Sequence, residues 1–86
     1  MKVTTKTGFS WDIDKEKLDS WEVVEFLSDV EDNQISAYKK LFMFLLGKKG
    51  YEELKKHCRG KKNYINAKRM DAELRDMIAS AKEVKN

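Results

Sequence analysis

Residues 35–46, ISAYKKLFMFLL, followed by Gly47, form the most apolar stretch of a chain in which 38% of residues are charged. Wound at about 100° per residue, the stretch places Ile35, Tyr38, Leu41, Phe42, Leu45 and Leu46 on one broad face. Ser36, Lys39 and Lys40 fall outside that face, and so do two apolar residues, Met43 and Phe44. A helix that is apolar on more than one side is a central helix, with neighbours packed around it. Gly47 can end it in a left-handed conformation without steric cost. The rest of the chain is therefore expected to cover this helix.

Eighty-six residues suffice for one domain, which buries roughly 60–65% of the surface of its unfolded chain. The expected organisation is a β arm over residues 1–14 and a helical body over residues 15–86. In residues 3–13 the odd positions carry Val3, Thr5, Thr7, Phe9, Trp11 and Ile13, the period-2 pattern of a half-buried strand. Gly8 interrupts the pattern, so either a short hairpin or a bulged strand satisfies it. Two strands are marginal alone and must lie on the helices.

The first helix is expected to start at Asp19, with Glu22 completing a capping box and Leu18 and Val23 as the hydrophobic staple. Its buried stripe is Val23, Phe26, Leu27 and Val30. Asn33 is expected to cap the central helix. After a short connection, Lys48-Lys49-Gly50, the residues Tyr51, Leu54 and Cys58 mark a short amphipathic helix ending at Gly60. Residues 61–64 read as a loop. Asn66 then caps a last helix whose stripe is Ala67, Met70, Leu74, Met77, Ile78, Ala81 and Val84, with the intervening positions mostly polar. The expected fold is thus mainly α: a small bundle of about four helices with a short N-terminal β arm or hairpin.

Charge is unevenly distributed. Residues 1–32 hold four basic and nine acidic side chains, whereas residues 33–69 hold eleven basic and two acidic. Pairing within the fold and solubility are the expected roles of these charges, with a nucleic-acid footprint as the alternative. No run of 18 apolar residues is present to span a membrane, and no secretory leader is visible near the start. With a single cysteine, the chain reads as cytoplasmic.

No catalytic set is recognisable. His57 and Cys58 are the only histidine and cysteine, and neighbours on a helix point about 100° apart. They are too few for a zinc site without carboxylates from elsewhere. Asp12, Asp14 and Glu16 alternate as calcium ligands do, but lack the required glycine and distant glutamate. The expectation is a protein that is not an enzyme and needs neither cofactor nor metal. The basic run of Lys55, Lys56, Arg59, Lys61 and Lys62, with Tyr64 beside it, makes segment 55–69 the candidate nucleic-acid surface. Gly60 between two helices adds a hint of helix-turn-helix.

The order of features is itself informative. The arm TKTGFSWDID, the acidic LDSWEVVEFL helix, the FLLGKKGYEEL junction, the NAKRMDAEL helix and the closing AKEVKN together resemble the small tail assembly chaperones of long-tailed (siphovirus-type) phages and prophages of Gram-positive bacteria. The most specific parts are Leu45-Leu46-Gly47 followed by Tyr51 and Leu54, and Lys85-Asn86. None is a catalytic signature. The resemblance implies a non-enzymatic chaperone that coats the tape measure protein in the host cytoplasm while tail tube subunits are recruited. It then leaves and is absent from the mature virion. A frameshifted longer form is also implied, and Val84-Lys85-Asn86 can be encoded by a slippery run of adenines. Met43, Phe44, Tyr51, Lys55 and Arg59 are the candidate partner-binding residues, with self-association possible through the same surface. Phe44 has two readings: burial under the β arm or last helix, or exposure in a groove for a partner helix.

Overall fold

The computed structural model describes residues 1–83, and the fold is mainly α with a short antiparallel hairpin in front. Val84, expected in the last apolar stripe, lies outside the described residues, as does Lys85-Asn86. Strands β1 (Lys2–Thr4) and β2 (Ser10–Asp12) pair with Val3 opposite Trp11. The turn between them closes on Thr5, which exchanges backbone bonds with Phe9 and Gly8, and Gly8 takes a positive φ of 94°. Val3, Thr5, Phe9 and Ile13 are buried as the alternation requires; Thr7 is exposed and Trp11 half-buried.

Helix α1 (Lys15–Leu18) is a single turn capped by Asp14, which accepts from the Glu16 amide at 2.9 Å. Helix α2 (Trp21–Glu31) starts one residue later than the sequence pattern suggests. Ser20 is its cap, accepting from the Val23 amide at 3.4 Å, while Asp19 ends α1. The extra turn takes Asp19 into its own C-terminus, leaving the next polar residue to open α2. Asn33 likewise has a different role from the one expected. It adopts φ 64° and donates to the Val30 carbonyl while Gln34 donates to that of Asp29, so it closes α2 in a Schellman turn and does not cap α3.

Helix α3 (Ser36–Arg59) consists of two helical segments, the central one and the short amphipathic one, and Gly47 ends the first as expected. The bend is at Gly47, where φ 73° and ψ 174° lie in a region open essentially to glycine alone. Lys48-Lys49-Gly50 is not a connection, because the helix resumes at once and Gly50 is buried within it. The reason is the hairpin. The Trp11 ring lies so close that a Cβ on Gly50 would come within 2.7 Å of it. Phe9 stacks parallel to Trp11 and also meets His57, so the aromatic side of β2 rests on the second half of α3.

Helix α4 (Ala67–Glu83) starts at Asn66, whose Oδ1 accepts from the Lys68 and Arg69 amides as expected. It carries Leu74, Met77 and Ala81 into the core and leaves Ala67 exposed. Ile13, Leu41, Phe42, Leu54, Leu74 and Met77 are the most deeply buried large side chains, so the hairpin end, both halves of α3, and α4 share one core. Each such side chain contributes about 1.5–3 kcal/mol by leaving water. Among the described residues no helix is long and apolar enough to cross a membrane.

Candidate functional site

An apolar hollow opens beside the core. Ile35 and Tyr38 at the start of α3, Phe42 one turn on, Tyr51 past the bend, Ile65 in the loop, and Ala67 and Met70 on α4 line a groove of about 390 Å³. The bend at Gly47 creates it, because the second half of α3 turns Tyr51 back over Phe42, and the two rings stack at 5.5 Å. Ile35 forms its lip. The helical pattern assigned Ile35 to the buried face, yet it is 81% exposed. It immediately precedes α3, as the residue at its N-cap position.

Polar bonds fix the walls. The Tyr38 hydroxyl donates to Asp71 at 2.7 Å, Asp71 pairs with Arg75 at 3.0 Å, and Arg75 reaches Glu31 at 2.8 Å. This chain ties α4 to both α3 and α2. Burial pushes the Asp71 carboxyl upward, but the bonds from Tyr38 and Arg75 and the charge of Arg75 outweigh it, so the group sits below its ordinary range. The bond to Asp71, then burial, raises the Tyr38 phenol. Bonds to Asp71 and Glu31 raise the Arg75 guanidinium further. On the opposite wall the Lys55 ammonium stands 4.7 Å from the centre of the Tyr51 ring and pairs with Glu52 at 2.9 Å.

Of the five candidate partner-binding residues, Tyr51 lines this groove, and Lys55 is not part of its lining but stands over the Tyr51 ring. Met43 is exposed elsewhere on α3. Phe44 is half-buried against Phe26 of α2 at 5.8 Å, with the Lys17 ammonium of α1 over its ring at 5.4 Å. Among the described residues, the elements shown against its ring are α2 and α1, which differ from the expected β arm and last helix. Arg59 lines a separate hollow of about 260 Å³ with Lys61, Lys62, Tyr64 and Arg69.

No family model, curated protein or solved structure matches the chain.

A polar node lies at the far side of α4. Glu73 looked like one of the polar positions outside the α4 stripe, yet it is 2% exposed. The Thr7 hydroxyl donates to its Oε2 at 2.6 Å and lies 2.9 Å from His57 Nε2. Thr7 thus links the Glu73 carboxyl to the His57 ring. Glu73 Oε1 has no partner. The buried Cys58 thiol is raised, first by burial and then by the nearby Glu73 charge. The Lys6 amide bonds to Asp76, and Ser80 donates to the Thr4 carbonyl at 3.2 Å, so the node fastens the hairpin onto α3 and α4. Among the described residues no group of three or more His, Cys, Asp or Glu could hold a metal ion.

Proposed function

We propose that this chain is a non-enzymatic tail assembly chaperone of long-tailed phages or prophages, and that its groove holds a helical segment of the tape measure protein while tail tube subunits are recruited. The order of sequence features, from the TKTGFSWDID arm to the AKEVKN end, supports the assignment to tail assembly. The observation that carries the binding reading is the open groove between α3 and α4, lined by four aliphatic or thioether side chains and three aromatic rings and held by the Tyr38–Asp71–Arg75 chain. Tape measure proteins are long and helical, and a helix with anchors at i, i+3 and i+4 fits an apolar groove. Covering such stripes reversibly would keep them from aggregating. The host cytoplasm is where this assembly takes place, and release before completion would exclude the chaperone from the virion.

Co-purification with the long helical protein encoded by the same phage tests the reading. Wild type is expected to retain it. Tyr51→Ala removes one of the three rings that line the groove and is expected to weaken retention by about 2 kcal/mol, roughly 30-fold. Retention unchanged in Tyr51→Ala would place binding outside the groove, and absence of retention by wild type would end the tail-assembly reading.

One observation favours a second reading. Arg59, Lys61, Lys62 and Arg69 meet around the exposed Tyr64, and the Lys62 ammonium lies 5.9 Å from its ring. That is a surface on which a nucleic-acid strand can pair its phosphates and stack a base. Tight binding with a steep salt dependence, near −0.9 per phosphate contact for duplex DNA, would favour it. Weak binding that vanishes near physiological salt is expected.

A further inference from the structure

The basic charge in the middle of the chain is only partly paired inside the fold. Lys55 and Lys56 pair with Glu52 and Glu53, one turn back on α3. Among the described residues, Arg59, Lys61, Lys62 and Arg69 take part in no ion pair. These four line the hollow of about 260 Å³ beside Tyr64, and no carboxylate shares that lining.

Helix physics accounts for one of the four and opposes another. Arg59 ends α3, at the negative pole of that helix, where a cation is favourable. Arg69 is the third residue of α4, whose first turn holds Lys68 and Arg69 and no acidic residue. That end is the positive pole of α4, so cations there cost stability. A cation held against its helix dipole, beside three others, is the kind of local conflict found at functional sites. Tyr64 adds an aromatic face. It is 64% exposed, and the Lys62 ammonium at 5.9 Å stands near the outer limit of a cation–π contact, about 6 Å. Cations around an open ring match an unpaired nucleotide, which offers a phosphate to the one and a base to the other. A duplex keeps its bases stacked on one another, so it offers only phosphates. An acidic peptide would satisfy the cations and leave the ring without a role.

We propose that this hollow holds one nucleotide unit of an unpaired strand, with the strand's phosphates on Arg59, Lys61, Lys62 and Arg69 and the base stacked on Tyr64. The inference rests on the nucleic-acid reading of this surface and narrows it to single strands. It is independent of the α3–α4 groove.

Fluorescence anisotropy of a labelled oligothymidine of about eight nucleotides, titrated with the full chain from about 20 mM salt upward, tests this. Wild type is expected to bind at the lowest salt, with log K falling against log salt by about 0.7 per phosphate contact. Tyr64→Ala is expected to weaken binding about 10-fold and Tyr64→Phe to leave it within about 2-fold, because stacking needs the ring and not the hydroxyl. Arg69→Gln is expected to lower the salt slope by about 0.7, one contact. Both side chains are exposed, and thermal melts check that the variants fold. A short DNA duplex, oligoglutamate and thymidine monophosphate serve as competitors, and each is expected to displace the strand poorly. Displacement by any of them as effective as by the unlabelled strand would overturn the proposal. So would strand binding that Tyr64→Ala leaves unchanged. If a duplex binds tightly and the strand does not, this inference falls and the nucleic-acid reading stands. If neither binds with the chain at hundreds of micromolar, both fall. No arm involves the tape measure protein, so the tail-assembly reading is tested separately.

Discussion

At the scale of single residues, two polar groups are held in ways that can be tested directly. Glu73 is buried and depends on one donor, the Thr7 hydroxyl. Thr7→Val keeps the shape and removes the donor, leaving a buried carboxylate with both oxygens unsatisfied. A loss of about 2–3 kcal/mol in urea unfolding is expected. Glu73→Gln keeps an oxygen for Thr7 and removes the buried charge, so its effect should stay within about 1 kcal/mol. The reverse order would mean that Thr7 does not hold the carboxylate. Asp71 supplies a pH dependence. Its carboxyl is lowered in the folded chain, so in acid the unfolded chain takes up the proton more readily than the folded one. Stability from this group is therefore present above the ordinary aspartate range, about 3.9, and lost as pH falls through the lowered value. Asp71→Asn is expected to flatten that part of the acid-unfolding profile and to cost about 1 kcal/mol at neutral pH, since the site is partly exposed. An unchanged acid slope would contradict the assignment.

At the scale of elements, Gly50 decides how the hairpin meets α3. By helix propensity alone, Gly50→Ala should gain about 1 kcal/mol. The new Cβ would collide with the Trp11 ring and with Leu46 Cβ at 2.8 Å. A net loss of about 1–3 kcal/mol is expected, with a change in tryptophan fluorescence as Trp11 is displaced. A stabilised variant would show that the hairpin does not rest there. Much of this architecture is legible in the sequence. Alternation in residues 3–13 and the helical stripes around Val23, Leu41 and Leu74 mark the hairpin and the helices, and Asn66 marks the start of α4. Exact ends are less legible where two capping residues adjoin. Asp19 and Ser20 can each open a helix, and the single turn of α1 takes the first of them. Lys48-Lys49-Gly50 reads as a turn because glycine breaks helices. Here it stays helical, because its missing side chain makes room for a ring from a strand some forty residues earlier. Glu73 escapes a reading by periodicity for a similar reason, since its partner Thr7 lies on the hairpin.

At the scale of the whole molecule, the groove is a tertiary product. Its residues come from the start of α3, from beyond the bend, from the loop and from α4, and no local pattern joins them. Of the sequence candidates Tyr51 lines the groove, and Lys55 stands over the Tyr51 ring without lining it. Ile35, Tyr38, Ile65 and Met70 were not among the candidates, because helical periodicity sorts a side chain only as facing in or out, and these line an opening between elements. Met43 and Phe44 lie elsewhere on α3, and Phe44 is engaged by Phe26 and Lys17. We propose above that this chain binds a helix in the α3–α4 groove. A titration of the isotope-labelled chain with a helical segment of the phage's tape measure protein, followed by amide and methyl NMR shifts, tests it most directly. Shifts are expected to concentrate at Ile35, Tyr38, Tyr51, Ile65 and Met70, with the hairpin and the Arg59–Lys62 hollow unmoved. Shifts centred on Arg59, Lys61, Lys62 and Tyr64, or none at saturating segment, would contradict it.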